Sequence, residues 1–439
     1  MRILLATLGS AGDTHPYVAI GEELVRRGHA VAMLANPHFE GRIRSVGMDF
    51  LPLGEEADFL SVLHDPRLAR QGESPYLVIE ALFNKSIEPS YRAMQEAIAT
   101  WKPDAIVRHH IMFAARWAAE PHRIPVLTGV LTPSMWFHPD EPMVLRSFLP
   151  FWVMRRLGPL VRGASRMALR WFIDRPANRA RRAMGLAPER DVFFTETAAG
   201  LRVLGLWSRY FRPSMPGDPP SSDVVGYCFF DRARGDADKA LDPSLERFLR
   251  GCEDRNNLPV AFTLGTTIVH HARDFFATAV RAAREAGRPA ILLVGKGEKG
   301  PPIAEGSDVC VCEYAPHSLL MPRVAASIHH AGAGSSAQAL RSGRPSVAIP
   351  FVNDEFDIAF RLERLGVAVN LPAPKLRSRR AVGNLAEALH QVTSGPGFPE
   401  RAREIGERVK SEYGAVRAAD EVEKFAVCSA RPPNPLCEN

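Results

Sequence analysis

Twice in this chain a short apolar run stops at a glycine-rich turn that opens a helix, and no other feature restricts the fold as much. The first run is Arg2–Leu8, followed by Gly9-Ser-Ala-Gly-Asp13. Val18, Ile20, Leu24 and Val25 then recur at helical spacing up to Gly28, and Ala30–Leu34 is the next apolar run. Uninterrupted apolar runs of this length suit strands buried on both faces. Strand, loop, helix and strand in that order form the opening unit of a doubly wound parallel sheet. Ala105–Val107 and Pro125–Val130 are further strand candidates.

The same grammar restarts at Leu258. Val260–Leu264 reads as a strand, Gly265-Thr-Thr267 as a turn, Asp274–Ala286 as a helix and Ala290–Val294 as a strand. Val309–Cys312, Ala325–Ile328, a helix over Ser335–Ser342 and Ser346–Ile349 complete the second series. Between the two lies Phe211–Asp223, with four prolines and a glycine in thirteen residues, which reads as an extended connector. The expectation is an α/β protein with two Rossmann-like domains facing each other across a cleft. Residues 1–211 form the first, 212–222 the linker and 223–427 the second, and a proline-containing tail, 428–439, frays.

A chain of 439 residues, 46% apolar and 24% charged, has material for two full cores and is not a disordered sequence. Its six cysteines (Cys228, Cys252, Cys310, Cys312, Cys428, Cys437) contain no CxxC pair, which argues against a disulfide framework or a structural zinc site. No signal-peptide pattern and no run of 18 uncharged apolar residues is present, so a cytoplasmic protein is expected.

Two motifs carry chemistry. Gly9–Pro16 sits where ligands bind in open α/β sheets, at the carboxyl end of a strand, and Asp13 offers a carboxylate there. Asp is also a common helix-capping residue, and from the sequence both readings stand. The dinucleotide fingerprint GxGxxG is missing, which disfavours a nicotinamide enzyme. His15 is either a second base candidate or part of the wall. The second motif runs through Glu313-Tyr-Ala-Pro-His317, Ile328-His-His-Ala-Gly-Ala-Gly-Ser-Ser336 and Pro350–Glu355. A glycine-lined helix start favours a phosphate, to which His330 can add a hydrogen bond or a charge. His109 and His110 follow a strand and are either acceptor-site residues or a solvated loop. Met135, Trp136 and Phe137 either line an apolar acceptor pocket or pack a core.

These segments together resemble the family 1 glycosyltransferases of the GT-B fold, especially the bacterial branch acting on lipids, sterols and natural products. GSAGD, YAPH, HHAGAGSS and NDE stand in that family's order and spacing across nearly the whole chain. Asp65-Pro-Arg-Leu68 and Ile87–Tyr91 add a likeness to the rhamnosyltransferases of rhamnolipid synthesis. The resemblance implies an inverting transfer from a UDP- or dTDP-sugar to a hydroxyl of a hydrophobic acceptor, with no metal and no cofactor. It makes Asp13 the base and implies donor contacts from Gly12, Gly265, Thr266, Tyr314, His317, His330, Gly332, Gly334, Ser335, Asp354 and Glu355. Three departures stand out: Glu355 replaces the usual Gln, Ala331 a frequent glycine, and Gln338 a ribose-binding Glu. A non-catalytic nucleotide-sugar-binding partner and a sugar-nucleotide epimerase are the competing readings of the same scaffold.

The chain's +6 charge is local. Phe151–Arg190 holds ten arginines against Asp174 and Glu189, a net +8 within a chain of +6. Arg162, Arg166 and Arg170 recur every four residues, with Leu160, Ala164, Met167 and Trp171 on other faces. A basic amphipathic helix of this kind suits either an in-plane membrane contact or a solvated surface, and no nucleic-acid motif accompanies it.

Overall fold

A computed structural model of the chain describes residues 1–69, 73–74, 77, 80–144, 151–197, 202–231, 240–269, 273–295, 297, 300 and 308–430. The chain divides into two compact units. The first comprises Met1–Val62, Pro75–Phe230 and Glu412–Asn439, and the second Leu63–Ser74 and Asp231–Ser411.

The first unit holds seven parallel strands: β1 (Arg2–Ala6), β2 (Ala30–Ala35), β3 (Asp49–Pro52), β4 (Ala105–His109), β5 (Val126–Val130), β6 (Arg202–Gly205) and β7 (Ser222–Val224). Their order across the sheet is β3-β2-β1-β4-β5-β6-β7. The six strands of the second are β8 (Val260–Thr263), β9 (Ala290–Leu293), β10 (Val309–Cys312), β11 (Ala326–His329), β12 (Ser346–Ala348) and β13 (Ala368–Asn370). They run β10-β9-β8-β11-β12-β13, again all parallel. Both are doubly wound sheets, as expected. Each reverses its strand order once, between β1 and β4 in the first and between β8 and β11 in the second. Strands β3, β6, β7 and β13 have no counterpart in the sequence reading: each is three or four residues long and includes polar or turn-forming residues (Asp49 and Pro52, Arg202 and Gly205, Ser222 and Asp223, Asn370) that interrupt an apolar run.

Packing in the first unit turns on a close approach. Tyr17, on the helix Ala11–Arg26, donates its hydroxyl to the carbonyls of Arg108 (3.2 Å) and Gly129 (2.9 Å). A Cβ at residue 129 would lie 2.4 Å from that hydroxyl, so glycine in β5 lets the helix cross β4 and β5. The second core gathers Val260, Phe262, Leu292, Ile328, Val347 and Leu389, all fully buried.

The linear division of the chain differs from these units in three places, the first being Leu63–Ser74, which groups with the second unit and not with residues 1–211. The proline-rich stretch 212–222 is packed into the first unit and leads into β7. Arg212 is 2% exposed, pairs with Asp218 (2.5 Å) and lies over the Trp136 ring at 5.3 Å. A buried ion pair with a ring contact orders a segment whose composition reads as a linker. The helix Gly414–Ala430 also belongs to the first unit rather than to the second, as the linear reading had it. Arg27 reaches both Asp420 and Glu423 at 2.7 Å, and His29 meets Glu423 at 2.7 Å. Of the tail 428–439, only the part up to Ala430 is described, and it continues that helix.

Candidate active site

The polar residues singled out from the sequence gather at the two order reversals, where ligands bind in open α/β sheets. In the first unit Asp13 follows β1 and His109 ends β4. Gly9 adopts φ +121°, and a Cβ there would come within 2.4 Å of Asp13 Oδ2, so the backbone passes the carboxylate only as glycine. Ser10 donates from its N–H (2.7 Å) and its hydroxyl (2.9 Å) to Oδ2 of Asp13. Oδ1 of Asp13 faces Nε2 of His109 at 3.4 Å. His109 Nδ1 accepts the Ile111 N–H (3.4 Å), and this network assigns the ring proton to Nε2, toward the carboxylate.

Burial is the largest influence on Asp13 and opposes its ionisation. His109 and Ser10 together outweigh it, holding the pKa below the ordinary carboxylate value. The side chain is 30% exposed, recessed but reachable. Asp13 is therefore both a helix-capping residue through Oδ2 and an ionised acceptor through Oδ1. The two readings of this residue coexist.

His15 takes a different part. Its ring packs edge-on against Phe39 (6.4 Å) and Phe230 (5.6 Å). Burial, with Arg42 and His38 alongside, pulls its pKa down to about 3, so it is neutral and a weak base.

In the second unit β8 ends at the turn holding Gly265 and β11 ends at His329. His330 lies between two glycine backbones. A Cβ on Gly265, itself at φ +66°, would meet its ring at 2.3 Å, and one on Gly332 would meet Nε2 at 2.3 Å. Ala331 sits at φ +64°, tied by its N–H to His329 Nδ1 (3.2 Å). That left-handed backbone is the physical reason a glycine suits the position.

The helix Ala333–Ser342 begins immediately afterwards, with Gly332 at its N-cap and no side chain bonded to the cap. Its first intrahelical bond is Ser336 N–H to Gly332 O (2.9 Å), so the N–H groups of Ala333, Gly334 and Ser335 precede the ladder. Around this start, His317 Nε2, His329 Nε2, His330 Nδ1 and Ser336 Oγ are buried without a hydrogen-bond partner in the protein. Unpaired buried polar atoms are uncommon enough that four at one loop mark a place for a polar ligand. Burial, with His317 beside it, pulls His330 down to about 4, and burial alone pulls His317 to about 4. His330 is thus neutral in the free protein and offers a hydrogen bond, not the charge the sequence left open. His317 also lines a recess of about 300 Å³ with Gln338, Arg341 and Lys410.

A glycosyltransferase family 28 N-terminal domain matches residues 3–127, and an erythromycin biosynthesis protein CIII-like C-terminal domain matches 291–424. The O-mycaminosyltylonolide 6-deoxyallosyltransferase of Streptomyces fradiae is 32% identical, over 97% of this chain and 98% of its own. The chain belongs to the family 1 glycosyltransferases of the GT-B fold. A sterol 3-beta-glucosyltransferase of Arabidopsis thaliana is 25% identical over 96% of this chain and 67% of its own. The solved glycosyltransferase VinC in complex with dTDP has a TM-score of 0.67 at 18% identity, over 97% of this chain and 100% of its own, a likeness of fold.

Several site residues of this glycosyltransferase stand differently from the sequence reading. His109 is 1% exposed and His110 8%, with their rings 4.2 Å apart, so neither is a solvated loop residue. His109 is brought beside Asp13 because β4 ends two residues later than its apolar run suggests. Trp136 is 2% exposed, packed edge-on at 4.6 Å from Trp207, and belongs to the core. Phe137 is half-buried, with its ring against Phe193 (5.7 Å) and the buried Phe194 (5.3 Å).

Glu355 is 7% exposed, and its Oε2 accepts the N–H groups of Phe351 (2.7 Å) and Val352 (2.9 Å). Asp354 precedes it at the helix N-cap, and Asn353, at φ +51°, donates to Ser74 Oγ (3.0 Å). Tyr314 is half-buried just after β10. Gly12 has ordinary room for a Cβ, 3.6 Å from Ser10 Oγ, so the turn's required glycine is Gly9. The Thr266 side chain lies outside the described residues. Gly9 and Ser10 lay within the Gly9–Pro16 motif without an individual role, and Ser74 was not read from the sequence at all.

The glycine stack yields a direct expectation. Gly332→Ala places a methyl where His330 Nε2 now lies and displaces the ring, so dTDP and UDP bind at least about tenfold more weakly. Isothermal titration of both nucleotides, with the melting temperature as a folding control, measures it.

Proposed function

We propose that this glycosyltransferase carries out an inverting, metal-independent transfer from a dTDP- or UDP-sugar to a hydroxyl on a hydrophobic acceptor. The observation that carries the reading is the uncapped start of the helix Ala333–Ser342 behind the Gly265–His330–Gly332 stack. Free N–H groups, the positive helix end and a neutral imidazole N–H form a cradle for a diphosphate. Asp13 takes the other half of the chemistry. The acceptor O–H gives its proton to Asp13, its oxygen bonds to the anomeric carbon, and the carbon–oxygen bond to the diphosphate breaks with its electron pair on the phosphate oxygen. Stabilisation of that leaving group falls to the helix start and His330.

His109 is a positioning residue in this scheme. Its Nε2 faces Oδ1 of Asp13 at 3.4 Å, while Ser10 donates to Oδ2, an arrangement that aims the carboxylate. The similarity to a deoxyallosyltransferase that acts on a macrolide and to sterol glucosyltransferases supports a bulky apolar acceptor, and Phe137 with Phe193 offers it an aromatic face. A hydroxy-fatty-acid acceptor of the rhamnolipid kind is the third version.

The test is a thermal-shift panel of dTDP- and UDP-linked glucose and rhamnose, followed by product analysis with a macrolide aglycone, a sterol and a hydroxy-fatty acid. Donor binding raises the melting temperature by mass action. An inverted glycoside formed in the presence of a chelator is expected. Product of retained configuration, or transfer abolished by the chelator, overturns the respective part of the reading.

A further inference from the structure

The arginine-rich segment of the first unit folds the opposite way round from a water-facing helix. Helices Phe151–Arg156 and Gly158–Leu169 lead through a π-helical turn, Arg170–Asp174, into Arg175–Ala183. On the middle helix, Leu160, Ala164, Met167 and Ala168 occupy one stripe at three- and four-residue spacing, and Trp171 continues it. That stripe faces outward: Leu160 is 72% exposed, Met167 70%, Trp171 60% and, on the preceding helix, Trp152 64%.

Two arginines of the basic stripe reach back to the protein while remaining partly exposed, Arg166 at 46% and Arg170 at 37% of the side chain. Arg166 and Arg170 both bond to Asp191 at 2.6 Å, and Asp191 is only 12% exposed at its side chain. Asp191 therefore anchors the helix by its charged side and turns its apolar side to solvent. The sequence left a membrane contact and a solvated surface open for this helix.

Charge completes the surface. Arg155, Arg156, Arg175, Arg179, Arg182 and Arg190 are exposed. Arg175 spreads over the Trp171 ring at 3.7 Å. Both carboxylates of the segment are engaged toward the protein: Asp174 accepts the N–H groups of Asp191 and Val192, and Glu189 bonds to Arg116. The exposed charges of the segment are thus all positive, set around six exposed large apolar side chains, Leu157 and Phe172 among them. Contiguous apolar exposure rimmed by cationic side chains is the pattern of a helix lying in a lipid interface.

We propose that residues 152–182 dock this enzyme on an anionic phospholipid surface. Trp152, Leu160, Met167 and Trp171 enter the interface, and Arg155, Arg156, Arg175 and Arg179 meet the phosphates. Among the described residues no helix is long and apolar enough to cross a membrane, so this is attachment in the plane. The inference stands apart from the assignment of donor and acceptor.

Flotation of the full chain with vesicles tests it, comparing pure phosphatidylcholine with vesicles half composed of phosphatidylglycerol, at low and high salt. Recovery with the anionic vesicles at low salt, its loss at high salt and a blue shift of tryptophan emission are expected. Leu160→Ser with Met167→Ser, both at exposed positions, weakens binding at least about tenfold at unchanged charge. Arg155→Gln with Arg156→Gln weakens it about thirtyfold and flattens the salt dependence. Melting temperature and dTDP binding remain those of the parent in both variants. Failure of the parent to float with anionic vesicles overturns the proposal, as does undiminished binding by the serine variant. A concentration-dependent dimer that the serine variant disperses, without vesicle binding, assigns the face to a second copy and overturns it too.

Discussion

Asp13→Asn is expected to lower kcat for sugar transfer by about 10²–10⁴-fold while leaving the fold and donor binding in place. The substitution is nearly isosteric. An Asn side-chain oxygen still accepts the Ser10 N–H that now reaches Oδ2 at 2.7 Å, so the helix start persists and the melting temperature changes little. What disappears is the negative oxygen that takes the acceptor's proton. The pH dependence carries a second signature. Because His109 and Ser10 hold Asp13 below the ordinary carboxylate value, the base stays ionised through mildly acidic solution. Activity therefore persists as pH falls from 7 to 5, and the acid limb of kcat/KM appears only below the usual carboxylate range. Steady-state kinetics on parent and variant, with a thermal melt for each, settles the matter. A variant within a few-fold of the parent would remove Asp13 from the role and return it to helix capping alone.

Glu355→Gln is expected to remove a pH-dependent loss of stability. Burial raises Glu355 from 4.5 to about 8, against the opposing help of two backbone N–H groups. For a carboxyl raised on folding, the native state binds more protons than the unfolded state between those values, so stability falls as pH rises through them. The window opens near pH 5 and extends to about 8, with a slope of up to about 1.4 kcal/mol per pH unit. Gln keeps an oxygen for Phe351 and Val352 and has no charge to bury. The variant should match the parent near pH 5 and exceed it by about 3 kcal/mol near pH 8. Denaturant unfolding at the two pH values measures the difference, and an identical pH slope in both proteins would refute the assignment.

The same group resolves a departure noted in the sequence. An ionised carboxylate in place of Gln accepts hydrogen bonds and cannot donate one. With Oε2 occupied by two N–H donors and the group protonated at neutral pH, the proton resides on Oε1, and Glu355 donates much as Gln does.

The two restarts of a strand-to-glycine-turn grammar determined the fold class, because strands buried on both faces need continuous apolar runs wherever they occur. The HHAGAGSS loop was legible for a related reason: positive φ and close approach to His330 tolerate only small residues, so the constraint is written in local composition. Asp13 was visible for the same cause, flanked by the Gly9 turn that makes room for it.

What the sequence by itself could not decide were relations between distant residues and the direction in which a face points. His109 becomes the partner of Asp13 only because β4 lies beside β1 at the order reversal, some hundred positions along the chain. Trp136 belongs to the core only because Trp207 and Arg212 meet it there. The connector 212–222 and the final helix are claimed by the first unit through His138, which meets the Pro216 carbonyl at 2.9 Å, and through Arg27, which reaches Asp420 and Glu423; such contacts between distant residues leave no periodic trace. The arginine-rich helix shows the division most clearly. Composition established that one of its faces is apolar and another basic, but only Asp191, one carboxylate fixed by tertiary packing, decided which of them meets the solvent.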